Sequence, residues 1–267
     1  MSLADNGPIS FSQIAAEADV ALTNVSLNNV NIRKIARKFT AGTTISISDL
    51  RGKSRFSFKN GDFSGGDIVD SGATATTDGW TVYKSAIRLN GLDNIAGKPT
   101  PADATIPANS PGDNTPPIRF TFTAQFSTDL PPGYAAPKRS LQLASNGESA
   151  GYGVIHGPYA VGNDSVNLEV GDRVDFWWRA AGSADAYDIY AYLLNVDTGS
   201  TINLINDTGA ASATTTAWAQ EVRTISAGQA GDYKFVFVSG SFDFTGGTVL
   251  GASLFITGIN VTKWFDL

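Results

Sequence analysis

The run from Val174 to Ala180 alternates without a break. Val174, Phe176, Trp178 and Ala180 fall on one side; Asp175, Trp177 and Arg179 fall on the other. A period of two marks a strand buried on one face, and a helix, repeating every ~3.6 residues, cannot give it. Two further apolar stretches, Ser165–Val170 and Tyr187–Val196, flank this run across Gly/Asp turns. Upstream, Gly147–Tyr159 is rich in glycine and carries Tyr152, Tyr159 and the single histidine, His156. No helix tolerates that segment, and an aromatic-rich loop on a rigid sheet is a common way to build a binding face.

The same reading predicts strands at 55–59, 80–89, 118–126, 141–144, 154–155, 166–169, 173–179, 187–195, 202–206, 221–225, 231–239 and 251–261. Short strands with turn residues at this spacing predict a mainly β chain, an antiparallel, jelly-roll-like sandwich of two sheets. Residues 92–117 interrupt it with six of the eleven prolines. Proline cannot donate to a ladder, so this segment is expected to be a long surface loop.

Charge divides the chain. Residues 1–55 hold seven Lys/Arg against four Asp/Glu, a balance of +3; the rest holds twelve against twenty-one, a balance of −9. The first part reads as a small helical module (1–53), the second as the sandwich domain (54–267). Ser10 or Ser12 can cap a helix through FSQIAAEA, and Ser26 or Asn28 a second helix. In the second, Val30, Ile32, Ile35, Ala36 and Phe39 form an apolar stripe, with Arg33, Lys34, Arg37 and Lys38 across the rest. A third turn is expected at SISDLRGKS, capped by Ser46 or Ser48 and stopped by Gly52. A unit with so few large side chains is expected to lean on a partner surface.

The absence of cysteine excludes a disulfide framework and thiolate metal sites. A net charge of −6 argues against a general nucleic-acid binder. No apolar run approaches the ~20 residues of a membrane span, and MSLADNGPISFSQ has no signal-peptide pattern.

Several strings imitate catalytic motifs. Gly147–Gly151 reads GESAG, but a nucleophile elbow needs a following helix, which Gly153, Gly157 and Pro158 forbid. Asp197–Thr198–Gly199 and Asp207–Thr208–Gly209 resemble the aspartic-protease triplet, yet lie too close together to come from two symmetric lobes. They read as turn chemistry. A glycoside hydrolase needs only two suitably spaced carboxylates and so stays open as an alternative.

The string GPISFSQIAAEA, followed by ISISDLRGKS, resembles a short N-terminal module of tailed-bacteriophage virion proteins, many of them from phages of cyanobacteria. Gly7, Ile9, Ser10, Ser12, Ile14 and Glu17 match its first half, and Ser46, Ile47, Ser48, Asp49, Leu50, Arg51 and Gly52 its second. The Phe-Gly usual after the Glu is replaced by Ala18 and Asp19. Asn60, Gly61, Asp62, Phe63, Gly79 and Trp80, together with the closing LGASLFITGINVTKW, resemble jelly-roll carbohydrate-binding modules. Such modules frequently hold a structural Ca²⁺ through carboxylates at positions that are Ser64 and Thr257 in this chain. Ca²⁺ wants six to eight oxygens, about that number in most sites, so no dependence on it is expected.

These resemblances imply a virion structural protein of the tail, baseplate or fibre, assembled in the host cytoplasm. It would be a homo-oligomer that contacts other virion proteins and host surface polysaccharide, with no catalytic site, cofactor, nucleic-acid partner or membrane insertion. The alternatives are a polysaccharide-degrading tail enzyme and a capsid decoration protein. The candidate docking residues are Ile9, Phe11, Ile14, Arg33, Lys34, Arg37, Lys38, Leu50 and Arg51. The candidate glycan contacts are Trp80, Tyr152, His156, Tyr159, Trp177 and Tyr190, although core or interface packing is the commoner fate of such aromatics.

Overall fold

The computed structural model describes residues 8–18, 21–36, 43–50, 60–91, 94–95, 98–101, 120–147, 154–244 and 251–266. In the N-terminal part, α1 (Phe11–Ala18) and α2 (Val30–Ile35) are joined by a 3-10 turn at Leu22–Asn24, and another 3-10 turn follows at Ile47–Leu50.

One local device is used twice here. Ser10 donates its backbone N–H to Gln13 Oε1 at 2.7 Å and accepts that of Gln13 on its hydroxyl at 3.2 Å. Ser46 likewise donates its N–H to Asp49 Oδ2 at 2.8 Å. Each serine hydroxyl also meets the next-but-one serine, Ser12 at 2.9 Å and Ser48 at 2.6 Å. In both cases an isoleucine precedes the cap, Ile9 and Ile45, and an apolar residue follows four later, Ile14 and Leu50. Ile14, Ile45 and Leu50 belong to one apolar cluster with Ile32 and Ile35, and Ile9 packs against it. The first is a capping box, the second keeps only the arm from the Ser46 N–H to Asp49, and both carry a hydrophobic staple, which is why the strings ISFSQI and ISISDL look alike. The cap of α2 is Asn29, whose Oδ1 accepts the Asn31 N–H at 2.9 Å, rather than Ser26 or Asn28. Replacing Ser10 with Ala should cost about 1 kcal/mol. Hydrogen exchange should show it as lost protection at the Ile14 amide, which bonds to the Ser10 carbonyl, with the sandwich strands unchanged.

In chain order the strands are β1 (Val69–Asp70), β2 (Thr74–Thr77), β3 (Trp80–Tyr83), β4 (Asn94–Ile95), β5 (Lys98–Pro99), β6 (Phe120–Ser127), β7 (Ser140–Gly147) and β8 (Val154–Gly162). Then come β9 (Val166–Leu168), β10 (Arg173–Gly182), β11 (Ala186–Asn195), β12 (Thr201–Thr208), β13 (Ala219–Thr224), β14 (Gly231–Phe242) and β15 (Ala252–Thr262). The larger, eight-stranded sheet runs β1-β2-β3-β8-β14-β11-β12, with β9 also pairing β14; the five-stranded sheet runs β13-β10-β15-β7-β6. All the pairings are antiparallel. The protein is an antiparallel β-sandwich preceded by helical elements.

Between the sheets lies the main core, where Trp80, Phe176, Phe235, Phe237, Leu143, Leu254 and Ile256 meet. Trp80 stacks at a tilt on Phe63 and Phe237, each 5.7 Å away. The outer face of the larger sheet is apolar as well: Tyr190, Tyr192, Leu194, Val236 and Val238 pack under Ile87, Leu89 and Ile95. The chain therefore leaves the sheet after Tyr83, and Ile87 and Leu89 cover it instead of extending β3 as the sequence predicts. The proline-rich segment is not wholly a loop either, since β4 and β5 pair within it and Ile95 is buried. The predicted strand at 55–59 lies outside the described residues.

Candidate functional site

The outer face of the larger sheet is closed by its own chain. The outer face of the smaller sheet is only partly covered by the described residues: Asp175, Phe255 and Thr257 are buried there, while Trp177, Arg179, Gln142, Gln220 and Asn260 keep some exposure. Along β10, the alternation that puts Val174, Phe176 and Ala180 in the core turns Asp175, Trp177 and Arg179 outward. Cross-strand register sets Trp177 opposite Gln220 of β13 and Thr257 of β15, Arg179 opposite Phe255, and Phe255 opposite Gln142 of β7. The pairing shifts by one residue between Asp175 and Trp177. The extra residue belongs to β15, where Gly258 takes φ +65. A bulge of this kind re-aims the side chains beside it. A Cβ on Gly258 would lie 2.5 Å from the Tyr134 hydroxyl, so glycine is required for Tyr134 to lie down here.

Amides and carboxylates form a ladder across the face. Asp175 accepts from Asn260 at 3.3 Å and Gln220 at 3.5 Å, while Arg173 stands 3.6 Å away. Gln125 donates to Gln142 at 2.7 Å, and Gln142 to Ser253 at 3.1 Å. Aromatic rings stand between these polar groups. Trp177 reaches the Tyr134 hydroxyl, and Lys138 Nζ lies 4.3 Å from the centre of the Tyr134 ring. Burial pushes the Tyr134 phenol above its ordinary range, and the Asp175 and Asp62 carboxylates push it further. Toward the other end, Trp218 donates its indole N–H to Asp129 at 3.0 Å and meets Phe255 edge-on at 6.5 Å. The Arg179 guanidinium lies 5.5 Å from the Phe255 ring and is paired with Asp129.

One loop, 128–139, supplies three of these supports: Asp129, Tyr134 and Arg139. Arg139 donates Nε–H to the Phe63 carbonyl at 2.8 Å, bonds the Gly66 carbonyl and reaches Asp67 at 3.3 Å, its guanidinium 3.8 Å from the Phe126 ring. Thr257 donates its hydroxyl to the Arg139 carbonyl at 2.7 Å, and Ser64 donates to Asp62 at 2.7 Å. The Phe63 and Gly66 carbonyls face the Arg139 guanidinium, and the carboxylate beside Ser64 is that of Asp62. Among the described residues no cluster of three or more acids and histidines could hold a metal ion.

Of the aromatic candidates read from the sequence, Trp177 lies half-buried on the outer face of the smaller sheet. Trp80, His156 and Tyr190 do not reach solvent; each is 0 % exposed. Trp80 fills the inter-sheet core. His156 and Tyr159 stand in β8, not in a glycine loop, and face the covered side. His156 is bonded to Asp188 at 2.7 Å and set edge-on to Tyr190 at 5.2 Å, and Asp188 also accepts from Thr208 at 2.6 Å. Tyr159 is half-buried, stacked on Tyr83 at 4.9 Å. Tyr152 lies outside the described residues. Gly147 ends β7, and Ser149 also lies outside them. The first Asp-Thr-Gly is a turn, in which Asn195 Oδ1 accepts the Asp197 and Thr198 N–H groups. The second closes β12.

Of the docking candidates, Ile14 and Leu50 are core residues of the helical module and Ile9 packs against them. Arg33 is buried too, donating to Asn28 Oδ1 and the Thr43 carbonyl, each at 3.2 Å. Phe11 is exposed at 59 %. Nothing is described of the side chain of Lys34, and Arg37, Lys38 and Arg51 lie outside the described residues. The sequence reading missed Tyr134, Trp218, Asp129 and Lys138. All four come from connections, where no periodicity marks a face; the prolines around Tyr134 were the one available signal.

Neither a protein-family model nor a curated protein matches the chain. Among solved structures it is similar to the enzymatically active domain of bacteriophage CBA120 tailspike protein 4, at 12% identity and TM-score 0.36. That match covers 78% of this chain and 21% of the tailspike chain, so this chain spans about a fifth of that length. It is also similar to a carbohydrate-binding module of the β-sandwich superfamily (12% identity, TM-score 0.36, 78% of this chain and 61% of that one). A third similar structure is a Stig cyclase, Fisc, from Fischerella sp. TAU (13%, TM-score 0.35, 77% and 95%). Scores this low carry no inference about function.

Proposed function

We propose that this protein is a non-catalytic attachment and binding subunit of a phage-type virion. Its helical module docks to other virion proteins, and its sandwich contacts surface glycan through the partly exposed outer face of the smaller sheet. The resemblance of ISFSQI and ISISDL to the virion-protein module supports the first half. The second half rests on one observation: half-buried Trp177, Tyr134 and Trp218 stand among Asn260, Gln142 and Gln220, polar side chains that the described residues leave at least partly exposed on this face. Sugar rings offer C–H faces that stack on aromatic rings, and hydroxyls that amides and carboxylates can bond. Supports already tied to one another lose little freedom when a ligand arrives, which favours affinity. His156, the only candidate base for the Ser149 motif, is sealed beneath the covered face, and this supports the non-catalytic reading.

Trp177→Ala tests it. Affinity electrophoresis in polysaccharide gels should show a loss of about 30-fold or more, usual for a central aromatic anchor. Stability should fall by about 1–3 kcal/mol, because the indole is mostly buried and bonds the Tyr134 hydroxyl, and the binding comparison is made well below the melting temperature of the variant. Release of reducing sugar from the same polymers, surviving in Trp177→Ala, would instead favour a hydrolase.

A further inference from the structure

Resting on the glycan-contact reading, we propose that Asp129 is a positioning residue of that site. Its two carboxylate oxygens hold the Trp218 indole and the Arg179 guanidinium in place as one contact point for the sugar chain, in addition to Trp177. Trp218 is not aimed by the ladder it stands next to. The β10–β13 register ends with Trp178 opposite Ala219, and the two chains meet again where Ala181 bridges Thr215. That is three steps on one chain (178 to 181) and four on the other (219 to 215), so one extra residue is taken up between Thr215 and Ala219. The alternation that aims Trp177 therefore stops short of Trp218, and in such a bulge other contacts fix where a side chain points. Two contacts do so: Phe255, met edge-on at 6.5 Å, and Asp129 Oδ1, which accepts the indole N–H at 3.0 Å. A ring contact tolerates sliding, whereas a hydrogen bond to the single polar atom of an indole is directional and sets the turn of the ring.

Asp129 is itself held. Its N–H donates to Ser127 Oγ at 3.0 Å and its carbonyl accepts from Ser140 Oγ at 2.7 Å. Ser127 and Ser140 are the last pair of the β6–β7 ladder, so the carboxylate carries the order of that ladder end to a tryptophan outside the β13 pairing. Its second oxygen, Oδ2, pairs with Arg179 Nη1, while Arg179 Nε donates to the Thr216 carbonyl at 3.3 Å. Thr216 lies inside the irregular stretch, so the same guanidinium also pins the backbone that carries the ring. Neither partner is sealed off: the Arg179 and Asp129 side chains are 26 % and 34 % exposed, and Trp218 is half-buried. The ring can stack on the C–H face of a sugar, and a guanidinium has N–H groups beyond these two bonds to offer a hydroxyl. Holding both side chains before the ligand arrives spares the cost of ordering them on binding.

The experiment uses the full chain in native gels cast with galactomannan, mixed-linkage β-glucan, dextran, polygalacturonate or alginate, well below the melting temperature of every variant. At least one polymer should retard the native protein, and Trp177→Ala should remove that retardation. In the same gel Asp129→Leu and Trp218→Ala should each weaken binding about tenfold. The double variant should be no more than about threefold weaker than Trp218→Ala alone, because one residue acts through the other. Asp129→Asn keeps an acceptor oxygen for the indole N–H and should lose about threefold or less. Near-ultraviolet circular dichroism of Asp129→Leu should match that of Trp218→Ala, since a ring without a fixed orientation gives no fixed signal. Losses that add in the double variant, or native binding by Asp129→Leu, would overturn the positioning role and leave the glycan-contact reading standing. If Asp129→Leu does not fold, Trp218→Phe tests the same bond from the other side: it keeps a ring, removes the N–H, and should bind more weakly, whereas native binding would overturn the role. Retardation of the native protein by none of the five polymers, or retardation indifferent to Trp177→Ala, would overturn the glycan-contact reading and the positioning role with it.

Discussion

Lys263→Met should cost the sandwich about 3–5 kcal/mol, enough to halve or abolish the stability of many domains. Lys263 Nζ donates to Asp172 Oδ2 at 2.7 Å and to the Asn167 carbonyl, with lysine and aspartate side chains only 2 % and 0 % exposed. Asp172 also accepts the Glu169 N–H at 2.8 Å and the Trp264 N–H at 2.9 Å. This one carboxylate therefore ties the turn before β10 to the residues just after β15. Removing the ammonium leaves a buried anion without its counter-charge, and that drives the loss more than the missing bond does. Urea unfolding should show Asp172→Asn destabilised too, and the double variant well short of the summed losses, because the two residues are coupled. Additive losses would mean that they act separately.

Arg139→Ala should be the next most damaging change, at about 2–4 kcal/mol. It removes charge-assisted bonds to the Phe63 and Gly66 carbonyls and a guanidinium packed on Phe126. It also frees the loop carrying Asn60, Asp62 and Ser64, so melting temperature should fall. Lys at this position should rescue little, since a point charge cannot reproduce the fork that spans two carbonyls. Millimolar Ca²⁺ should leave the melting of the native protein unchanged, because an ion that binds only the folded state must raise it. A rise of several degrees would show that oxygens beyond the 60–67 loop gather around the ion.

The sandwich was legible because alternation at 174–180 and turn chemistry are local signals. Trp177 and Arg179 could be placed opposite Val174 and Phe176 from spacing alone. Burial of the other aromatics was not legible. Tyr190 and Tyr192 lie on the face opposite Ile189 and Ala191, as alternation requires, but that side is covered by Ile87, Leu89 and Ile95, about a hundred residues distant in the chain. His156 read as a loop residue because glycines surround it. Gly240 across the ladder explains why it could be a strand residue: a Cβ there would lie 2.1 Å from the Asp188 carbonyl and 2.8 Å from the His156 ring. In the helical module the cap serines were legible, whereas the burial of Arg33 was hidden by its place in a basic run, since the Thr43 carbonyl it serves lies beyond the helix.

The position of β15 carries a consequence for biosynthesis. It lies between β10 and β7, so the smaller sheet has its centre missing until residue 262 has left the ribosome. Until then two unpaired strand edges, and the apolar faces behind them, stand open to any neighbouring nascent chain. The helical module, closed by contacts a few tens of residues apart, is complete long before. Ribosomes queued on one message would thus display folded helical modules ahead of unfinished sandwiches.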